Sequence, residues 1–174
     1  MFERLKRPNY FNERLLSAAD LRAEQDYFRN KIARHNCLLH GSGVVSGLQI
    51  QAKPAVLQVS PGLAFDCVGN EIVLDSEQIV PLPRGRASPQ FLVVHYVETP
   101  VDFVPTTGGN SEAGSIEESF SLRFEPADPF VKHARRGQLY SKRRSSCGRA
   151  HGVSLAKLVL RAGRWRIERP TRPR

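Results

Sequence analysis

His40-Gly41-Ser42-Gly43-Val44-Val45-Ser46-Gly47-Leu48-Gln49-Ile50-Gln51 is where the chain changes its period. Upstream, Ser17 followed three residues later by Asp20 has the form of a capping box, and the stretch beyond it has neither Gly nor Pro until Gly41. A helix is expected from there to about His35. Leu21, Phe28 and Ile32 fall on one face with Ala18 and Gln25, while Arg22, Asp26, Arg29 and Lys31 lie mainly elsewhere, so one side is expected to face a core. Downstream of the Gly41/Gly43 turn, Leu48 and Ile50 alternate with Gly47, Gln49 and Gln51, which reads as a half-buried strand over 44–51.

Short strands then follow one another: 56–60, a Pro61-Gly62 turn, 63–66, a Val68-Gly69-Asn70 turn, and 71–74, the pattern of a β-meander. Further strands are expected at 79–82, 91–98, 118–124, 153–160 and 165–168. The fold class is α+β, with an N-terminal helix packed on a small antiparallel β-sandwich or open barrel. A length of 174 residues suits one domain, divided into a helical segment (1–43), a β body (44–131), a basic loop (132–152) and C-terminal strands with a basic tail (153–174). Two irregular stretches remain, 99–117 around Gly108-Gly109-Asn110, and 127–152. Long loops in a compact domain are usually functional or disordered.

Charge is unevenly placed. The formal net charge is +9, yet residues 132–149 alone carry +7 (Lys132, Arg135, Arg136, Lys142, Arg143, Arg144, Arg149, with no acid) and residues 161–174 carry +5, leaving −3 for the rest. Basicity confined to one loop and one terminus points to contact surfaces. With Leu139 and Tyr140 as its main large apolar residues, 132–149 has no core of its own and is expected to be mobile in the isolated protein and to order, inside an assembly, against an acidic protein surface. The N-terminus lacks the apolar stretch of a secretory signal, and the longest apolar runs fall far short of the roughly 20 residues that span a bilayer. Cys37, Cys67 and Cys147 fit neither a disulfide framework nor zinc-site spacing, so reduced, mostly buried thiols are expected.

The densest polar cluster is His35-Asn36-Cys37-Leu38-Leu39-His40. On a continued α-helix His35 and His40 would point about 140° apart, not along one face as a zinc-binding i, i+4 pair does. The expected roles are structural: His35 capping helix carbonyls, Asn36 taking the turn, His40 fixing the loop. His95 lies in an apolar strand as a satisfied core histidine would, and Asp66, Glu71 and Asp75 surround a turn as turn formers do. Gly41-Ser42-Gly43 has its glycines one residue from the serine, where a nucleophile elbow has them two away after a strand, and it lacks the lysine of a phosphate-binding loop. No catalytic residue, cofactor site or metal site is assigned. Gly41, Gly43, Gly47, Pro61, Gly62, Asp66 and Gly69 are assigned to turns and strand junctions, with positive φ expected at Gly62 and Gly69.

The run from Asn9-Tyr10-Phe11-Asn12 through Leu15-Leu16-Ser17-Ala18-Ala19-Asp20 to Gln25-Asp26-Tyr27, continuing into His35-Asn36-Cys37-Leu38-Leu39-His40-Gly41-Ser42-Gly43-Val44-Val45-Ser46-Gly47-Leu48, resembles a bacterial family associated with contractile injection systems, the phage-tail-like particles. The likeness continues through Pro61-Gly62-Leu63-Ala64-Phe65-Asp66-Cys67-Val68-Gly69-Asn70-Glu71-Ile72, 116–122 and 153–158, and so covers most of the chain. The same Pro-Gly, Ala, Asp, Gly, Glu-Ile pattern is similar to small β-domains of tail fibres and baseplates. The chain departs from the family pattern at Glu13, where the pattern has Gly, and at Ser42, where it has an aromatic residue.

The resemblance implies a non-enzymatic assembly subunit, baseplate or tail-peripheral, made in the cytoplasm, incorporated into a particle and partnered by its other protein subunits. Tyr10, Phe11, Arg135, Arg136, Lys142, Arg143 and Arg144 are the candidate contacts, since aromatic residues and arginines anchor interfaces. The alternative reading of Tyr10 and Phe11 is that they staple the helix to the sheet. The alternative function is a small basic nucleic-acid-binding protein, with 132–149 and the C-terminus on phosphates.

Overall fold

A computed structural model describes residues 4–85, 88–129 and 151–168. Helix α1 spans Ala18–His35. Its start is held as expected: Ser17 Oγ accepts from the Asp20 backbone N–H at 3.2 Å, and Asp20 Oδ2 accepts from the Ser17 N–H at 3.0 Å. Its end differs. Asn36–His40 forms a π-turn, closed by Gly41 N–H to Asn36 O at 2.9 Å. In that wider i to i+5 geometry residues five apart stack, so the His35 and His40 rings lie 5.3 Å apart, not in the divergent directions of a continued α-helix.

The β body contains three antiparallel sheets among the described residues. The first orders β1 (Gly43–Gly47), β4 (Gly62–Phe65) and β5 (Glu71–Leu74). The second orders β2 (Ile50–Lys53), β3 (Val56–Val59) and β6 (Gln78–Pro81). The third orders β10 (Arg164–Glu168), β9 (Val153–Arg161), β7 (Gln90–Pro105) and β8 (Ser111–Glu125). Leu57, Val59, Ala64, Ile72, Leu74, Leu92, Val94, Leu155 and Leu158 fill one apolar core drawn from all three sheets.

Three expectations are corrected here. The strand over 44–51 is two strands in two sheets, because Gly47 (φ 62) and Leu48 (φ 54) are both left-handed and turn the chain from one sheet to the next. The irregular stretch 99–117 is mostly strand. β7 and β8 pair continuously from Phe91↔Glu125 to Pro105↔Ser111, save one irregular position at Asp102 (φ 53), and the tip closes with Thr106 N–H to Asn110 O at 2.7 Å. β9 accompanies β7 only over Gln90–Val94, so beyond that point β7 and β8 run on as a two-stranded ribbon.

The third correction concerns the helix. No residue of α1 is buried, and the face expected to meet a core is open: Leu21 is 51% exposed, Phe28 52% and Ile32 58%. The helix is joined to the β body by its C-terminal end and by an Arg29–Glu98 ion pair, not laid along a sheet.

Candidate interaction surface

The junction that aims α1 is built from the Asp66–Asn70 turn. Asp66 is buried, and its Oδ1 accepts from the backbone N–H groups of Val68 (3.0 Å), Gly69 (2.8 Å) and Asn70 (2.8 Å), while Oδ2 accepts from Asn70 Nδ2 at 2.8 Å. A carboxylate so satisfied fixes the turn, which is why an acid is tolerated in the core. Gly69 has φ 97, and the helix backbone at Ala33 packs directly against it. Buried Asn36 donates from Nδ2 to Gly69 O at 3.1 Å, and Cys37 Sγ donates to Cys67 O at 3.3 Å. His40 stacks on Phe65 at 5.9 Å. Asn36 and His40 thus fasten the turn and loop. At the α1 C-terminus it is the Asn36 N–H that bonds to the carbonyls of Ile32 and Ala33, the capping place expected of His35.

Cys37 and Cys67 are half-buried, Cys67 Sγ accepting from the His151 N–H at 3.3 Å, and Cys147 lies outside the described residues. His95 is half-buried, with Nε2 2.7 Å from Glu125 Oε1. Among the described residues no group of three or more His, Cys, Asp or Glu side chains converges as metal ligands would. Gly43 and Gly47 have positive φ, but Gly62 does not. Its constraint is close approach, since a Cβ there would lie 2.3 Å from Ser46 O.

Tyr10 lies beside α1, in a shallow groove with Glu24, Tyr27 and Phe28. The Tyr10 hydroxyl donates to Glu24 Oε2 at 2.7 Å, a bond that raises the phenol above the usual tyrosine range. Arg14 sits about 6 Å from both rings and pairs with Asp20. This N-terminal segment leaves much apolar surface open: Phe11 is 65% exposed, Leu15 93% and Leu16 57%. Leu15 and Leu16 were not singled out in the sequence, although Leu16 and Leu21 occupy the two positions of a hydrophobic staple about Ser17. Together with Leu21, Phe28 and Ile32 they make the apolar helix unit exposed. Arg135, Arg136, Lys142, Arg143 and Arg144 lie outside the described residues.

This fold is similar to that of solved chains. Over 95% of its length the chain matches a chain of the type VI secretion system TssK-TssF-TssG baseplate subcomplex solved by cryo-electron microscopy, with a TM-score of 0.50 and 12% identity. A chain of the baseplate complex from the type VI secretion system is also similar, with a TM-score of 0.45 and 10% identity over 95% of this chain. The chain spans 60% and 58% of those two chains. No family model matches the sequence, and no curated protein does. No described helix is long and apolar enough to cross a membrane.

Proposed function

We propose that this chain is a non-enzymatic assembly subunit of a contractile, phage-tail-like injection particle, at its baseplate or tail periphery, acting through protein–protein contacts. The observation that carries the reading is the uncovered apolar face of α1. Most helices in proteins are held chiefly by burying an amphipathic face, not by intrinsic propensity. Here that face is turned outward. Covering the half-exposed Leu21, Phe28 and Ile32 would contribute about 1 kcal/mol each. The likeness to a baseplate chain over nearly the whole length supports the same reading, as does the resemblance carried by residues 9–48 and 61–72.

In this reading the protein is synthesised in the cytoplasm and joins other subunits there. The experiment is to purify particles from the producing cells and quantify this chain against the sheath and tube proteins. A fixed ratio that persists through high-salt washing supports the assignment. A free monomer bound to RNA would replace it with the nucleic-acid reading.

A further inference from the structure

Helix α1 carries a seam within its apolar face. Ala18, Leu21, Gln25, Phe28, Ile32 and His35 recur in alternating steps of three and four, the spacing at which two helices interlock side chains along their length. All six are exposed. The partly covered residues lie to either side: Glu24 and Tyr27 beside the N-terminal segment, and Ala33 against Gly69. Charge is also sorted along the helix. Residues 18–26 hold Asp20, Glu24 and Asp26 against Arg22, a net −2, and residues 27–35 hold Arg29, Lys31 and Arg34 with no acid, a net +3. Part of this is answered within the chain, where Arg14 pairs with Asp20 and Glu98 with Arg29. Among the described residues Glu24, Asp26 and Lys31 form no ion pair.

We infer that the open seam of α1 is the contact for α1 of a second copy of this chain, laid antiparallel across a two-fold axis. On the assembly reading this face is a contact, and a second copy is what covers it. A parallel pair would set acid on acid and base on base. The antiparallel pair sets the −2 half of each helix on the +3 half of the other, with the two helix dipoles opposed. The seam also matches itself in that direction. Centred between Asp26 and Tyr27, it places Leu21 on Ile32 of the second copy, Gln25 on Phe28 and Ala18 on His35, each contact made twice by the two-fold symmetry. On one flank Glu24 then falls beside Lys31 of the second copy, also twice. On the other, Arg22 nears Arg29, whose charge Glu98 already answers. Because the β body holds α1 by its C-terminal end, the two bodies go to opposite ends of a helix pair about 27 Å long.

The test is sedimentation equilibrium of the full chain from about 5 µM to about 500 µM, the range in which a short apolar contact saturates. It is joined to zero-length carbodiimide cross-linking of an equal mixture of unlabelled and heavy-isotope-labelled protein, read by peptide mass spectrometry. The expected mass rises with concentration toward twice the 19.5 kDa of one chain. The expected link joins Glu24 to Lys31 with one peptide light and the other heavy, beside the Lys157–Glu168 link within a chain, a pair 2.9 Å apart that serves as control. Ile32→Ser should weaken the dimer at least about tenfold, since the two-fold axis counts the loss twice, and leave the circular dichroism spectrum unchanged because Ile32 is 58% exposed. Lys31→Glu should weaken it too, by less as salt is raised. A chain that stays monomeric over this range with its native spectrum would overturn the inference, as would a dimer indifferent to Ile32→Ser or mixed-isotope links that join other positions only. If such a monomer is still recovered in particles at a fixed ratio, another subunit covers the face, and the assembly reading stands without this inference. A dimer linked through Glu24 and Lys31 in a chain absent from particles keeps the contact and removes the particle.

Discussion

Gly69 and Ala33 touch backbone to backbone: a Cβ built on Gly69 would lie 2.0 Å from the Ala33 carbonyl oxygen. The β body meets the helix there with no side chain between, and the left-handed φ of 97 at Gly69 makes the fit doubly dependent on glycine. Gly69→Ala is expected to lower stability by about 2 kcal/mol or more, or to swing α1 off the turn. Thermal unfolding reads the first outcome and small-angle scattering the second; unchanged values in both would contradict the junction.

Gly62 is constrained differently. It sits in β4 with ordinary backbone angles, but Ser46 O, Leu48 N and the Gly47 Cα all lie within 2.8 Å of where a Cβ would be. Gly62→Val should therefore separate β1 from β4, with a melting temperature lower by about 4 °C or more, since each kcal/mol is worth about 2–4 °C in a domain of this size.

Glu13 holds φ 72 without being glycine. A residue with a Cβ is strained in that left-handed region. Glu13→Gly should stabilise the N-terminal segment by up to about 1 kcal/mol, read as a small rise in melting temperature. A drop would show that the Glu13 side chain makes a contact worth more than the backbone strain.

Helix α1 should also respond to acid. The Asp20 carboxyl is held below the usual aspartate range, chiefly by its hydrogen bond to the Ser17 side chain. A carboxylate with a depressed folded pKa contributes stability above its unfolded value, about 3.9, and loses it as pH falls through the lowered folded value. Circular dichroism of wild type and Asp20→Asn should differ at pH 7 and converge as pH falls through the lowered folded value. A difference that persists undiminished at pH 2.5 would remove the ionised capping box from the account.

Much of this architecture is legible in the sequence because it is local. Ser17 and Asp20 start the helix, and β5 over Glu71–Leu74 falls where alternation places it. What amphipathicity does not say is what covers an apolar stripe, so Leu21, Phe28 and Ile32 read as core-facing although no sheet lies over them. The distal ribbon was hidden for another reason. Pro100, Pro105, Gly108 and Gly109 are loop residues by preference, and a ribbon exposed on both faces has no buried side to impose alternation. At the π-turn, one extra residue per hydrogen-bonded ring brings His35 to His40, and nothing in the spacing announces it.

On the proposed function the open face of α1 is an assembly contact. Replacing Leu21, Phe28 and Ile32 together with Ser tests it most directly, by measuring the amount of the variant recovered in purified particles alongside its melting temperature. Because these side chains are each more than half exposed in the isolated chain, the melting temperature is expected to shift by no more than about 2 °C. Incorporation is expected to fall at least about tenfold, since three apolar contacts of about 1 kcal/mol each would be lost. A variant that unfolds would show that the face belongs to the protein's own core, and one that is stable and incorporated at the wild-type level would contradict the account.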